Sequence, residues 1–253
     1  MPFAENAGVR IHYSTEGQGP PLVLQHGFAN SAGVWRRLGY VEALKAEYQL
    51  ILVDARGHGA SDRLHDPAAY ELGSFVGDVC AVLDELGITR AHFFGYSMGA
   101  WIGYGLARLA PRRLLSLIAG GHHPDGSDFR LFQGLDGRDP VAFLQAIEAM
   151  IGEPLAPRLR QAMLANDLVA LAALVQPRAS QAVLLAPVDV PCLLFAGTAD
   201  RRYCGIAHCA QRLPQALFVP LEGLNHVQAI ARSDLIVPAV RAFMARSAPP
   251  REP

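Results

Sequence analysis

Short, largely apolar runs recur along this chain, and the segments between them carry helical spacing. Leu22-Val23-Leu24-Gln25, Leu50–Val53, Ala91–Phe94, Leu114–Ala119, Cys192–Ala196 and Leu217–Pro220 are too apolar for strands with one face in water. Between them, Val34, Leu38, Val41 and Leu44 share one face of a helix over 34–47, and Leu72, Phe75, Val76, Val79, Val82, Leu83 and Leu86 repeat at helical spacing over 70–86. Further helices are predicted from the Gly95–Gly99 turn to about Leu109, near 205–212 and over 233–246, and residues 9–14 alternate as an early strand. This alternation predicts an α/β fold, with a mostly parallel central sheet covered by helices on both faces. Residues 122–187 break the pattern. They hold no convincing strand and only helical segments, around 140–151, 157–165 and 167–175. The expected organisation is a core of 1–121 and 188–253 with a helical cap, 122–187, over the crevice at the strands' C-terminal ends.

Composition removes several function classes. With 51% hydrophobic and 18% charged residues over 253 positions, the chain can bury a core and is not disordered. A net charge of −1 lacks the basic excess of a nucleic-acid binder. Lys45 is the single lysine, and no Gly-Lys-Ser/Thr exists to form a phosphate loop. The Asp54–Ser61 loop is glycine-rich, but its glycines lack dinucleotide-binding spacing. It reads as a structural loop in which Asp54 and Arg56 fix the active-site edge. Cys80, Cys192, Cys204 and Cys209 form neither a CxxC nor a disulfide framework, and Cys204, His208 and Cys209 alone are too few for zinc. No apolar stretch suits a membrane span, and Met1–Arg10 carries no apolar run. A cytoplasmic protein is expected, with a small-molecule substrate and no cofactor, metal, nucleic acid or membrane; its oligomeric state is left open.

The chemistry concentrates at the ends of the apolar runs. Gly95-Tyr96-Ser97-Met98-Gly99 follows one run and opens a helix. A serine on so tight a turn needs neighbours without bulk, which Gly95, Gly99 and Ala100 supply. The helix start directs its N–H groups at any oxyanion formed above Ser97. A serine hydroxyl also needs a base held by a third group. Asp200 follows the run Cys192–Ala196 and His226 follows Leu217–Pro220, so both fall on the edge that carries Ser97. Asp125 competes for the acid role because it follows the preceding run. His26-Gly27-Phe28 follows the first buried run. There the Phe28 N–H suits one oxyanion donor and the Met98 N–H the other, while His26 suits a loop-fixing hydrogen bonder.

These elements resemble the α/β-hydrolase fold superfamily in its serine-hydrolase branch. The likeness rests on His26-Gly27-Phe28, the Asp54–Ser61 loop, Gly95–Ala100, Gly197–Asp200 and Gly223–His226, in family order. It implies Ser97 as nucleophile, His226 as base, Asp200 as its orienter, and the Phe28 and Met98 amides as the oxyanion hole. Many relatives carry a proline shortly after the acid, whereas Arg201-Arg202-Tyr203-Cys204 stands here. Serine at position 97 sets the chain apart from the dehalogenases and epoxide hydrolases of the superfamily, which use a carboxylate there.

The activity so implied is hydrolysis, through an acyl-enzyme, of a small, largely apolar carboxylic ester or lactone. C–C bond or thioester hydrolysis on the same triad, and a slow hydrolase-like ligand receptor, are the alternatives. Phe28, Trp35, Tyr96, His122 and His123 are candidate substrate-binding residues. In the cap, Leu131, Phe132, Leu135, Phe143, Ile147, Met150 and Ile151 either face the crevice or pack the cap on itself.

Overall fold

The computed structural model describes residues 2–124, 129–176 and 190–247. Eight strands form one sheet: β1 (Phe3–Asn6), β2 (Val9–Glu16), β3 (Pro21–Gln25), β4 (Gln49–Val53), β5 (Ala91–Tyr96), β6 (Leu114–Gly120), β7 (Cys192–Gly197) and β8 (Ala216–Leu221). Their order is β1-β2-β4-β3-β5-β6-β7-β8. β1 pairs antiparallel with β2, and β2 antiparallel with β4; every later pairing is parallel.

The helices are α1 (Gly33–Arg37), α2 (Tyr40–Leu44), α3 (Leu72–Glu85), α4 (Met98–Leu109), α5 (Pro140–Ile151), α6 (Pro157–Leu164), α7 (Leu168–Leu174), α8 (Tyr203–Arg212), α9 (His226–Ala231) and α10 (Ser233–Ser247). Successive strand residues serve opposite layers because side chains alternate across a sheet. Val23, Ile51, Phe93, Leu117 and Leu194 pack with α3, α4 and α8. Leu22, Leu24, Leu52, Phe94, Ile118 and Phe195 pack with α1, α2, α9 and α10. Two buried layers explain why the central strands read as continuous apolar runs.

Some expectations change. The helix expected over 34–47 is two short helices, because Gly39 takes a left-handed φ of 83° between them. β1 and α9 are additional elements. β1 is only four residues, too short for alternation to stand out. Among the described residues, no helix is long and apolar enough to cross a membrane, and no group of three or more His, Cys, Asp or Glu is placed to hold a metal ion.

Candidate active site

β5 delivers Ser97 and α4 begins immediately after it. Ser97 has φ 54° and ψ −115°, a region that L residues avoid, at a cost of about 1–3 kcal/mol. The surroundings enforce it: the Ser97 N–H donates to the Gly120 carbonyl at 2.8 Å, and the Trp101 N–H donates to the Ser97 carbonyl at 3.1 Å. A Cβ on Gly95 would collide with the Gly99 backbone, and one on Gly99 with the Gln25 carbonyl. Both positions must therefore be glycine for the turn to close against β3.

Asp200 lies in the loop after β7, and His226 is the first residue of α9, behind an Asn225–Gln228 capping box. His226 Nδ1 lies 2.6 Å from Asp200 Oδ2, and Nε2 lies 3.0 Å from Ser97 Oγ. A carboxylate can only accept, so Nδ1–H donates to it and Nε2 is left to accept the serine proton. The Asp200 side chain is 1% exposed and that of His226 14%. Burial pushes the Asp200 carboxyl up, but the hydrogen bond and charge of His226, the Arg202 N–H and the Arg202 charge together hold it below the usual carboxylate range. Tyr96 donates its hydroxyl to the His226 carbonyl and tilts its ring against the imidazole, 5.2 Å between centroids. It is buried beneath the histidine and fixes it from below. Asp125, the competing acid, lies outside the described residues.

The turn after β3 is held by buried histidines. The Ala55 N–H donates to His26 Nε2 at 3.1 Å, and the Ala29 N–H to His58 Nε2 at 3.1 Å. Each ring is thus protonated on Nδ1, which donates to the Gly27 carbonyl in His26 and the Arg56 carbonyl in His58. Burial keeps both neutral, with His58 lowered to about 3 by burial and by its neighbour His26. Asp54 Oδ1 accepts from the Ala32 N–H at 2.6 Å, which ties the same turn to β4. Among the described residues, neither the Phe28 nor the Met98 N–H donates to another protein group. Arg56 departs from expectation. Its guanidinium forms a buried two-point pair with Asp78 at 2.5 and 2.7 Å, so it anchors the loop to α3 rather than to the active-site edge.

Two cavities meet at Ser97, and Phe28 and Met150 line both. The smaller, about 570 Å³, is also bounded by Tyr70, Trp101, His122 and Arg202. The larger, about 730 Å³, is bounded by Trp35, Tyr96, His226 and Ile147 among others. Trp35 is 1% exposed and packs edge-on to Tyr40 and tilted against Phe94, so it backs the wall as a core residue. His122 borders the smaller cavity, and burial with the Arg202 charge lowers it to about 3. His123 borders neither and packs on Gly205. Of the apolar candidates between β6 and β7, Ile147, Met150 and Ile151 reach the larger cavity, joined there by Leu155, Leu159 and Met163. Phe132 and Phe143 pack on each other, 5.5 Å between centroids; Leu135 packs against the core at a surface groove; Leu131 is exposed. Tyr70, Trp101 and Arg202 were not among the sequence candidates for the pocket. Nothing local marks the first two, whereas Arg202 stood out as part of the loop that lacks the usual proline.

Among the described residues, polar contacts join the helices between β6 and β7 to the loops below, including one of His65 Nε2 to Asp167 Oδ2 at 2.9 Å. Asn166 Nδ2 donates to the Ala29 carbonyl at 3.2 Å, Arg201 to the Ala149 carbonyl at 3.0 Å, and Asn225 Nδ2 to Glu153 Oε1 at 2.8 Å.

Residues 20–189 match the family model described as alpha/beta hydrolase fold. RutD of Azorhizobium caulinodans, named for a carbamate hydrolase activity, is 36% identical over 135 residues, 53% of this chain and 49% of RutD. Epoxide hydrolase B of Mycobacterium tuberculosis is 36% identical over 116 residues, 44% of this chain and 32% of that protein. The chain thus spans about half the length of one curated relative and about a third of the other. The crystal structure of the esterase RhEst1 from Rhodococcus sp. ECU1013 superposes with a TM-score of 0.81 at 26% identity, covering 97% of this chain and 98% of that one. Because the model match runs over most of the sequence and the esterase superposes on nearly all of it, the chain belongs to the α/β-hydrolase fold family.

Proposed function

We propose that the protein is a serine hydrolase of small carboxylic esters or lactones. The observation that carries this reading is the hydrogen-bonded chain from Ser97 Oγ through His226 to Asp200, at 3.0 and 2.6 Å. His226 Nε2 takes the serine proton as Oγ attacks the carbonyl carbon. The resulting oxyanion is received by the Phe28 and Met98 N–H groups, which hold no competing acceptor among the described residues. The same proton passes to the leaving alkoxide, and the acyl group stays on Ser97. Water, deprotonated by His226, then releases the acid and restores the serine. Residues 122–187 act as the cap of this site: Ile147, Met150 and Ile151 wall it with hydrocarbon and limit substrate size.

The epoxide hydrolase likeness does not extend to chemistry, since a serine replaces the carboxylate nucleophile at position 97. Purified protein assayed on a panel of short esters, lactones, thioesters and epoxides tests the reading. Multiple turnovers of ester or lactone are expected. Ser97→Ala should leave only about 10³–10⁴-fold acceleration over water, the share of the oxyanion hole and binding. Wild-type turnover in that variant would refute the assignment.

A further inference from the structure

The loop that supplies Asp200 also carries a cation that the triad does not consume. Arg202 is half-buried at the start of α8 and lines the smaller cavity beside Ser97. Among the described residues, its guanidinium has no carboxylate in ion-pair range and no hydrogen-bond acceptor. Its backbone N–H is the part that binds Asp200, at 3.0 Å. The chain's other half-buried or buried cations contrast with this, as Arg56 is paired with Asp78 and Arg113 with Asp84. Asp200 feels the Arg202 charge, but the guanidinium makes no ion pair with it; its two oxygens are bound by the Arg202 N–H and by His226. His122 adds no charge, since burial and Arg202 keep it neutral. Arg202 is therefore the one charged side chain among the described residues bordering this cavity. Among the described residues, the larger cavity is bordered by no charged side chain other than a protonated His226 during turnover.

This asymmetry orients the substrate. His226 must hand its proton to the leaving alkoxide, and it borders the larger cavity only. The leaving group therefore lies in the larger, uncharged cavity and the acyl chain in the smaller one. A guanidinium partly removed from water, with its fork of N–H donors making no hydrogen bond or ion pair among the described residues, is satisfied best by a planar anion of matching geometry. We propose that Arg202 receives a carboxylate at the far end of the acyl chain, so that the preferred substrate is a monoester or lactone derived from a dicarboxylic acid, with an apolar alcohol part. This deepens the hydrolase reading and rests on it.

Monobenzyl esters of succinic, glutaric and adipic acid, each paired with the benzyl ester of the monoacid of equal chain length, provide the test. For at least one length the charged ester should have the higher kcat/KM. Arg202→Gln should lower the charged-to-neutral ratio by roughly 10- to 100-fold, chiefly through KM, the scale of one lost charge-assisted contact. Arg202→Lys should keep part of it. A neutral preference at every length overturns the proposal. So does an unchanged ratio in Arg202→Gln, or an equal fall on both esters through kcat, which would confine Arg202 to holding Asp200. If no ester is turned over, the hydrolase reading fails separately, and calorimetric binding of the monobenzyl acids decides: binding lost in Arg202→Gln sustains the anion site, and no binding to the parent protein removes it.

Discussion

At Asp200 the protein keeps a carboxylate ionised while almost wholly buried, and what it gains is an imidazole held in one tautomer. Asp200→Asn should therefore lower kcat by roughly 10⁴, since an amide cannot stabilise the imidazolium. Asp125→Asn should do far less, and the reverse order in parallel assays would show the acid to be misassigned. Phe28 gives a finer test. If its backbone N–H serves the oxyanion and its ring only walls the two cavities, Phe28→Ala should raise KM and shift substrate preference while kcat changes by less than about 10-fold, below the usual cost of a lost oxyanion donor. A collapse of kcat in a folded variant would give the ring a chemical role. The placement of Ser97, Asp200 and His226 was readable because each falls in the first turn or loop after an apolar run, so topology brings them to one edge. His58 and Tyr96 were not readable as a support for the turn and the imidazole, because their partners lie on other strands and loops.

Elements divide in the same way. β3 to β7 were legible since burial on both faces leaves an unbroken apolar run; β8 reads alike, yet at the sheet edge it is only half-buried. α9 was not: six residues beginning at the histidine have no room for a periodic signal, and only the Asn225–Gln228 cap marks it. The loop after β4 shows what pattern reading misplaces. Arg56 in a glycine-rich turn suggests the active-site edge, yet its partner Asp78 sits a full element away on α3. With side chains 4% and 3% exposed, removing one partner leaves an uncompensated buried charge. Asp78→Ala should then cost about 3–5 kcal/mol, measured from urea midpoints. The parent's midpoint in the variant would mean that the pair contributes nothing net.

For the molecule as a whole, pH bears on several buried imidazoles at once. His26, His58, His92 and His122 are all held below the ordinary imidazole value of 6.5 by burial, His58 and His122 to about 3 and His92 to about 4. Folded, they stay neutral; unfolded, they take up protons below about 6.5. Stability from this source is complete above that pH and declines as pH falls toward 3–4, each imidazole steepening the loss by up to about 1.4 kcal/mol per pH unit. Urea midpoints should drop between pH 7 and 5, and a flat profile would contradict the burial of these rings as neutral groups. The order of the strands has a further outcome, in time rather than in space. Ser97 and His226 are 129 positions apart, and the base sits just past the last strand at one edge of the sheet. β5, β6, β7 and β8 must all be paired in register before the nucleophile meets its proton acceptor, and such long-range pairings form late. During refolding, helical signal should recover before turnover does, so a half-folded chain holds a serine whose proton has no acceptor and is spared from acting before its pocket exists.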